Sequence, residues 1–355
     1  MFYLNPHRSR AHLLICYRNF KAAQTPQCHI GLGVNALHTV KVLRRHRIHA
    51  SAFGVWTVDD VRKQLVRHPH TTHCVLEAPW IPTQAMLLLL ADFPSVHFLV
   101  RCHSQIGFLQ VEAGAIRILR DLLAVQEGVL NLSVAANSHR LKHFLEKTYA
   151  GACLYLPNLY DLERVHRKRD TCHDHRVLRI GSFGALRLLK NHTTAAAAAL
   201  MVARQRGCDL EFWISVNREE HGKGLVHALR AMFEALAWAK LVEHAWEDWA
   251  MFRRTIAHMD ACMQLSMTET FNITTADAVA EGVPCIVTPA IEWAPDYWQV
   301  DTDKVEDAAR VAGQLLSSVD AADDGRAALG GFVRHGTELW LTYLDRQPAE
   351  AADFP

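Results

Sequence analysis

Short apolar runs of strand length alternate with helix-length stretches along this chain, break off once, and then start again. In the first half the runs fall at 12–17, 50–55, 74–78, 96–100, 130–135 and 153–156, with helical patterns at 34–46, 58–68, 82–91, 111–125 and 138–147 between them. Strands separated by helices of this length are joined by crossovers rather than hairpins, which predicts a parallel sheet covered on both faces. After the polar stretch DLERVHRKRDTCHDHR at 161–176 the rhythm restarts with VLRIGSFG, a helix through the alanine run at 195–203, and the strands DLEFWIS, LVEHA, ACMQLS and CIVTP. Helices are expected between these at 223–238, 247–257 and 274–281, and a final one at 330–345 follows an acidic connector. The fold class is therefore α/β: two facing Rossmann-like, doubly wound domains with a cleft between them, where ligands meet the carboxyl ends of the strands. The expected boundaries are an N-terminal domain at 1–163, a linker at 164–176, a C-terminal domain at 177–328, and a C-terminal helix and tail at 329–355 that packs back on the N-terminal domain.

The 355 residues carry a formal net charge of +1, but the two halves differ in sign. Through residue 176 there are 22 Lys and Arg against 12 Asp and Glu; beyond it there are 16 against 25. A basic half joined to an acidic half implies that the domains bind different things, the first a polyanion, unless the two charges only face each other across the cleft. The nine cysteines are scattered with no Cys-x-x-Cys pair, which fits reduced thiols in a cytoplasm. No apolar run approaches the roughly 20 residues of a bilayer span; the stretch at 87–100 is broken by Asp92 and Pro94. The N-terminus lacks the apolar length and cleavage pattern of a signal peptide, so a cytoplasmic protein is expected.

Residues 266–289 read SMTETFNITTADAVAEGVPCIVTP. The strand ACMQLS delivers Glu269 to its carboxyl end, FNITT makes the turn, and Thr274 or Thr275 is placed to cap the next helix, with Thr274 and Asp277 at capping-box spacing. The amides from Phe271 through Asn272, Ile273 and Thr274 to Thr275 would seat a phosphate at that helix N-terminus. Asp277, one turn in, is placed to accept from a ribose diol, and Glu269 from sugar hydroxyls. The stretch resembles the Glu-x7-Glu signature of retaining, family 4 type glycosyltransferases of the GT-B fold, with Glu269, Phe271, Ala278, Ala280, Gly282 and Pro284 in register. Asn272 stands where that family usually has glycine, and Asp277 where it has the second glutamate. RIGSFGALRLLKNHTT is similar to the family's Gly-Arg-(four residues)-Lys-Gly loop: Gly184 and Lys190 match, Ala185 takes the arginine position, and Arg187 is placed to supply that charge. His103 in FLVRCHSQIGFL resembles the family's strand-end histidine that reaches the donor sugar, and LYLPNLYD resembles the Pro-Asn-x-x-Asp turn before the interdomain crossing.

The resemblance implies a retaining hexosyltransferase. Its acidic C-terminal domain would hold a UDP- or GDP-hexose through Gly184, Arg187, Lys190 and the 269–277 turn, with His103, Glu269 and Lys190 at the reacting centre. Attack would come from the front face, the departing diphosphate taking the acceptor proton, with neither a protein nucleophile nor a metal ion. Gly31 and Gly33 of GLGVNA are expected in a loop bordering the cleft. Lys41, Arg44 and Arg45 share one helical face, placed to meet an anionic acceptor. A hydroxylated base in DNA is favoured, because the basic residues spread over several segments without an exposed apolar face. The alternatives are a lipid-linked or cell-surface glycan at an anionic membrane, or a glycosyltransferase-like binding protein that has lost catalysis. No obligate protein partner is inferred.

Overall fold

The computed structural model describes residues 11–19, 31–162, 176–218, 222 and 224–345. All of the expected linker at 164–176 except Arg176 lies outside the described residues. The described chain divides into two compact units, the first made of 11–19, 31–161 and 333–345, the second of the residues from Leu162 to Phe332.

In the first unit, strands β1 (His12–Arg18), β2 (His49–Val55), β3 (His73–Glu77), β4 (His97–Cys102), β5 (Leu132–Ala136) and β6 (Leu154–Tyr155) form one parallel sheet in the order β2-β1-β3-β4-β5-β6. Helices α1 (Gly31–Arg45), α2 (Val58–Arg67), α3 (Thr83–Asp92), α4 (Ile106–Leu109), α5 (Ala113–Gln126) and α6 (His139–Tyr149) connect them. The alternation of strand side chains divides the core into two layers. Leu14, Cys16, Leu76, Phe98 and Val100 pack with α2, α3, α5 and α6 on one face. On the other, Leu13, Ile15, Val75 and Leu99 pack with α1 and with Trp340, Leu341 and Leu344. Gly31 and Gly33 open α1 rather than standing in a loop, and a Cβ on Gly33 would come within 3.0 Å of the Tyr17 ring. That glycine serves helix-to-strand packing.

In the second unit, β7 (Val177–Ser182), β8 (Asp209–Ser215), β9 (Ala239–His244), β10 (Ala261–Gln264) and β11 (Cys285–Val287) form a parallel sheet in the order β11-β10-β7-β8-β9. Its helices are α7 (His192–Arg206), α8 (Leu225–Phe233), α9 (Trp249–Ile256), α10 (Ile273–Ala280) and α11 (Val305–Ser317). The alanine run makes α7 a closely seated helix, with Ala195, Ala196, Ala198, Ala199 and Ala203 all buried. α11 occupies what reads in the sequence as an acidic connector. Its buried face of Ala308, Ala309, Val311, Ala312 and Leu315 keeps helical spacing but is mostly alanine among acids, a weak apolar signal. The last helix, α12 (Ala321–Leu344), begins in the second unit and supplies 333–344 to the first. No helix among the described residues is long and apolar enough to cross a membrane.

The first residues of β2, β1, β3 and β4, neighbours in the sheet, are all histidines: His49, His12, His73 and His97. His73 and His97 are buried, 6.1 Å apart between ring centres, and both meet the Tyr343 ring. Burial, joined at His73 by the neighbouring His97, pushes both down from 6.5 to about 4. In the second unit burial and the nearby Lys190 push His192 down to about 3. These histidines take up protons near pH 6.5 in the unfolded chain but only near 4 or below in the folded one. Between those values the unfolded state binds more protons, so stability falls as pH falls. Urea midpoints measured from about pH 7 down to about pH 5 are expected to drop, and to drop less steeply in a His73→Phe variant. An identical slope in the two proteins would refute this account.

Candidate functional site

Two polar constellations stand at the carboxyl ends of the strands, one in each unit. In the second unit β7 ends at Ser182 and the chain turns at Gly184, whose φ of 113° is open to glycine but rare for other residues. A short 3-10 turn, Leu188–Lys190, then carries Lys190 back toward the glycine, where a Cβ would lie 3.9 Å from the lysine Cε and from Thr274 Oγ1. Lys190 Nζ donates to Glu269 Oε1, and each side chain is 14% exposed. Glu269 Oε1 also accepts from Asn272 Nδ2 at 3.2 Å. This pair is largely enclosed yet still reachable.

Asn272 organises the turn. It is the N-cap of α10, its Oδ1 accepting from the Thr275 amide at 2.9 Å and from Thr275 Oγ1 at 3.2 Å. The capping box expected from Thr274 and Asp277 does not form. The cap sits two residues earlier because Asn272 adopts φ 59°, a left-handed conformation that asparagine tolerates better than most side chains. This also accounts for asparagine standing where the resembled family has glycine. Asp277 is buried and its Oδ1 accepts from the Trp249 indole at 2.9 Å. Phe271 lies in the core, its ring against Trp293 and Phe332 and its carbonyl accepting from Trp293 Nε1 at 2.7 Å. Gln264, at the end of β10, ties the loops together by donating to Phe183 O at 3.2 Å and accepting from Asn272 Nδ2 at 3.4 Å. Ile273 and Thr274 lead α10, and Arg187 is half-buried with its carbonyl accepting from the Lys190 amide at 3.0 Å. Lys190, Glu269, Gly184, Asn272 and Thr274 are thus brought together, while the Phe271 ring is turned away.

In the first unit the register pairs Glu77 of β3 with Arg101 of β4, so both side chains project from the same face. They are wholly buried and joined through two bonds, Arg101 Nη2 to Glu77 Oε1 at 2.6 Å and Nε to Oε2 at 3.0 Å. The third arginine nitrogen, Nη1, donates to the carbonyls of Leu156 and Pro157 at 3.1 and 3.2 Å and to Asn158 Oδ1 at 3.4 Å. Trp340 covers the guanidinium at 4.9 Å and donates its indole N–H to Pro157 O at 2.9 Å. Burial alone would raise the Glu77 carboxyl, but Arg101 and His103 outweigh it and hold it down at about 2. His103 follows β4 and is 11% exposed. Its Nε2 meets Glu77 Oε2, while Nδ1 accepts from Asn137 Nδ2 at 3.2 Å, an arrangement that places the ring proton on Nε2. Burial, then Arg101, depress its basicity against the opposing pull of Glu77. His103 is therefore a neutral, oriented imidazole.

The basic face expected at Lys41, Arg44 and Arg45 is not a uniform stripe. Arg45 is neutralised by Asp161 at 2.6 Å, and Arg44 turns its Nε to Ala50 O at 2.8 Å. Glu77, Arg101 and Asn137 escaped the sequence reading, whereas Asn158 is the asparagine of the Pro-Asn-x-x-Asp turn. The available signal was a charge ending each of two adjacent apolar runs, HCVLE and HFLVR.

No protein-family model matches the chain, and no curated protein matches it in sequence. Solved structures share its fold. Sucrose-phosphate synthase from Thermosynechococcus elongatus aligns with a TM-score of 0.68 at 13% identity, over 94% of this chain and 98% of that one. Anabaena HepE, solved with UDP and glucose, gives 0.59 at 12% identity over 96% and 99%. S. aureus TarM, solved with UDP, fondaparinux and α-GlcNAc-glycerol, gives 0.57 at 11% identity over 77% and 55%, so this chain spans about half of TarM's length. Identities this low establish architecture alone: the two parallel α/β units are those of the GT-B glycosyltransferase fold.

Replacing Arg101 by Met leaves the Glu77 carboxylate buried without its counter-charge and is expected to cost about 3–5 kcal/mol in urea unfolding. A Glu77→Gln/Arg101→Met double variant should recover most of that loss. A double variant as unstable as the single one would show that the pair is not the source.

Proposed function

We propose that the protein is a retaining glycosyltransferase that moves a hexose from a nucleoside-diphosphate sugar to an acceptor hydroxyl. The observation that carries this reading is the Lys190–Glu269 pair, set against Gly184 and the N-terminus of α10. A sugar diphosphate needs fixed positive charge where its leaving oxygen develops negative charge, and a side-chain-free patch that lets it approach the backbone. Lys190 supplies the ammonium, α10 the leading amides, and Gly184 the bare surface. Glu269 accepts from sugar hydroxyls, sharing Lys190 with the diphosphate once the donor is seated. The bond from the anomeric carbon to the diphosphate oxygen breaks, a bond to the acceptor oxygen forms on the same face, and the acceptor proton passes to the departing diphosphate. Positive charge from the protein suffices for this step, so activity is expected to persist in a chelator. His103, neutral and oriented, is the first unit's candidate contact for a sugar hydroxyl. Asp277, bonded to the Trp249 indole, is the candidate ribose ligand. HepE and TarM were solved with UDP, which supports a uridine nucleotide as the donor. The excess of basic residues through residue 176 supports an anionic acceptor, with a hydroxylated DNA base as the first to test.

Calorimetry with UDP and GDP should give saturable binding that Lys190→Ala weakens at least about tenfold. With an accepted UDP-hexose the same substitution should lower kcat by about 10²–10³. Nucleotide affinity indifferent to Lys190 would overturn the assignment, and a product of inverted anomeric configuration, read by NMR, would overturn the retaining step.

A further inference from the structure

At the amino ends of β1 and β2, the opposite end of the strands from Glu77 and His103, the surface of the first unit folds into a hollow of about 660 Å³. Arg44 of α1, Arg47 of the turn after it and Arg67 at the end of α2 line it, and no carboxylate among the described residues does. The contrast with their neighbours is informative. Arg45 pairs with Asp161, and Arg62 with Asp59 and Asp92, whereas none of the three lining arginines has a carboxylate at ion-pair distance among the described residues. Arg44 is held in place by its Nε bond to Ala50 O at 2.8 Å. The turn carrying Arg47 is fixed by its amide bond to Arg44 O at 3.0 Å, and the loop after α2 is fastened to β1 by the Thr72 amide bonding His12 O at 2.9 Å.

Histidines complete the lining. His12 and His49, opposite each other in the register, stack at 4.7 Å with planes 8° apart. His70 reaches within 5.9 Å of His12, and His68 is oriented by its Nδ1 bond to Gln64 O at 2.8 Å. Stacked imidazoles disfavour each other's protonation unless an anion lies between or beside them. Burial, then His49 and His70, depress His12 in the manner this predicts.

We propose that this hollow is a second anion site, taking the di- or polyphosphate group of a small molecule. Arginines from α1, its turn and α2 converge with imidazoles of β1 and β2 on one concavity, which suits a compact multiply charged group; an extended polyanion would require them strung along a path. The charged and titratable groups that face it are Arg44 and Arg47 from α1 and its turn, His12 and His49 from the strands, and Arg67, His68 and His70 from α2 and its loop. A bound phosphate favours the protonated form of His12, which burial and the neighbouring rings otherwise disfavour, so affinity rises as pH falls. The site is remote in sequence from Lys190 and goes beyond the proposed transferase reading.

Pyrophosphate titrated into the full chain by calorimetry tests it. One bound equivalent should survive Lys190→Ala, weaken by about tenfold or more in an Arg47→Gln/Arg67→Gln variant, and tighten severalfold from about pH 8 to about pH 6. Both arginines are exposed, and melting curves of the variant would show whether it folds. Pyrophosphate affinity unaffected by the double substitution, or unaffected by pH, overturns the proposal. So does binding of a short DNA duplex or of phosphatidylserine vesicles through Arg47 and Arg67 while pyrophosphate does not bind.

Discussion

A carboxylate and a guanidinium with no exposure to water must satisfy every polar atom from within the protein, and Glu77 and Arg101 do so by dictating where other segments go. Their mutual bonds use two of the arginine nitrogens. The third draws in the carbonyls of Leu156 and Pro157, which fixes the chain beyond β6, and that chain in turn receives the Trp340 indole. Glu77 keeps one oxygen turned to His103, whose other nitrogen is met by Asn137 at the end of β5. The placement of β6, of the last helix and of the imidazole therefore follows from one buried ion pair.

The second unit repeats the device with a different degree of enclosure. Lys190 and Glu269 also sit at strand ends and also meet as a cation and an anion, yet both retain some exposure, and glycine rather than tryptophan lies over the lysine. A sealed pair spends its hydrogen bonds on architecture. A half-open pair can exchange partners with an incoming ligand. The two constellations differ in what covers them, and that difference decides which is scaffold and which is available for chemistry.

The strands were legible because each is a short apolar run and the sheets are buried on both faces. Strand ends shifted by a residue or two, as where β4 continues through Arg101 and Cys102: an arginine breaks an apolar pattern but not a ladder when a glutamate waits on the next strand. α11 was hidden because alanine marks its buried side. The cap of α10 was misplaced because spacing alone favours a threonine, whereas the left-handed turn at Asn272 selects the asparagine. Lys190, Glu269 and Gly184 could be found from local motifs. Glu77, Arg101 and Asn137 could not, since only the register of three strands brings them together and no short motif records it; Asn158 stands in a recognisable turn, but its bond to Arg101 does not show in that motif.

Because residues 333–344 of α12 close the first unit, that unit is discontinuous in the chain. A ribosome releases the whole of the second unit before Trp340 emerges, so during synthesis Ile15, Val75 and Leu99 lack part of their cover and Arg101 lacks its aromatic lid. The first sheet thus waits, partly open, until residues 333–344 have been made. Until then the nascent chain presents an apolar face of the kind that holdase chaperones bind.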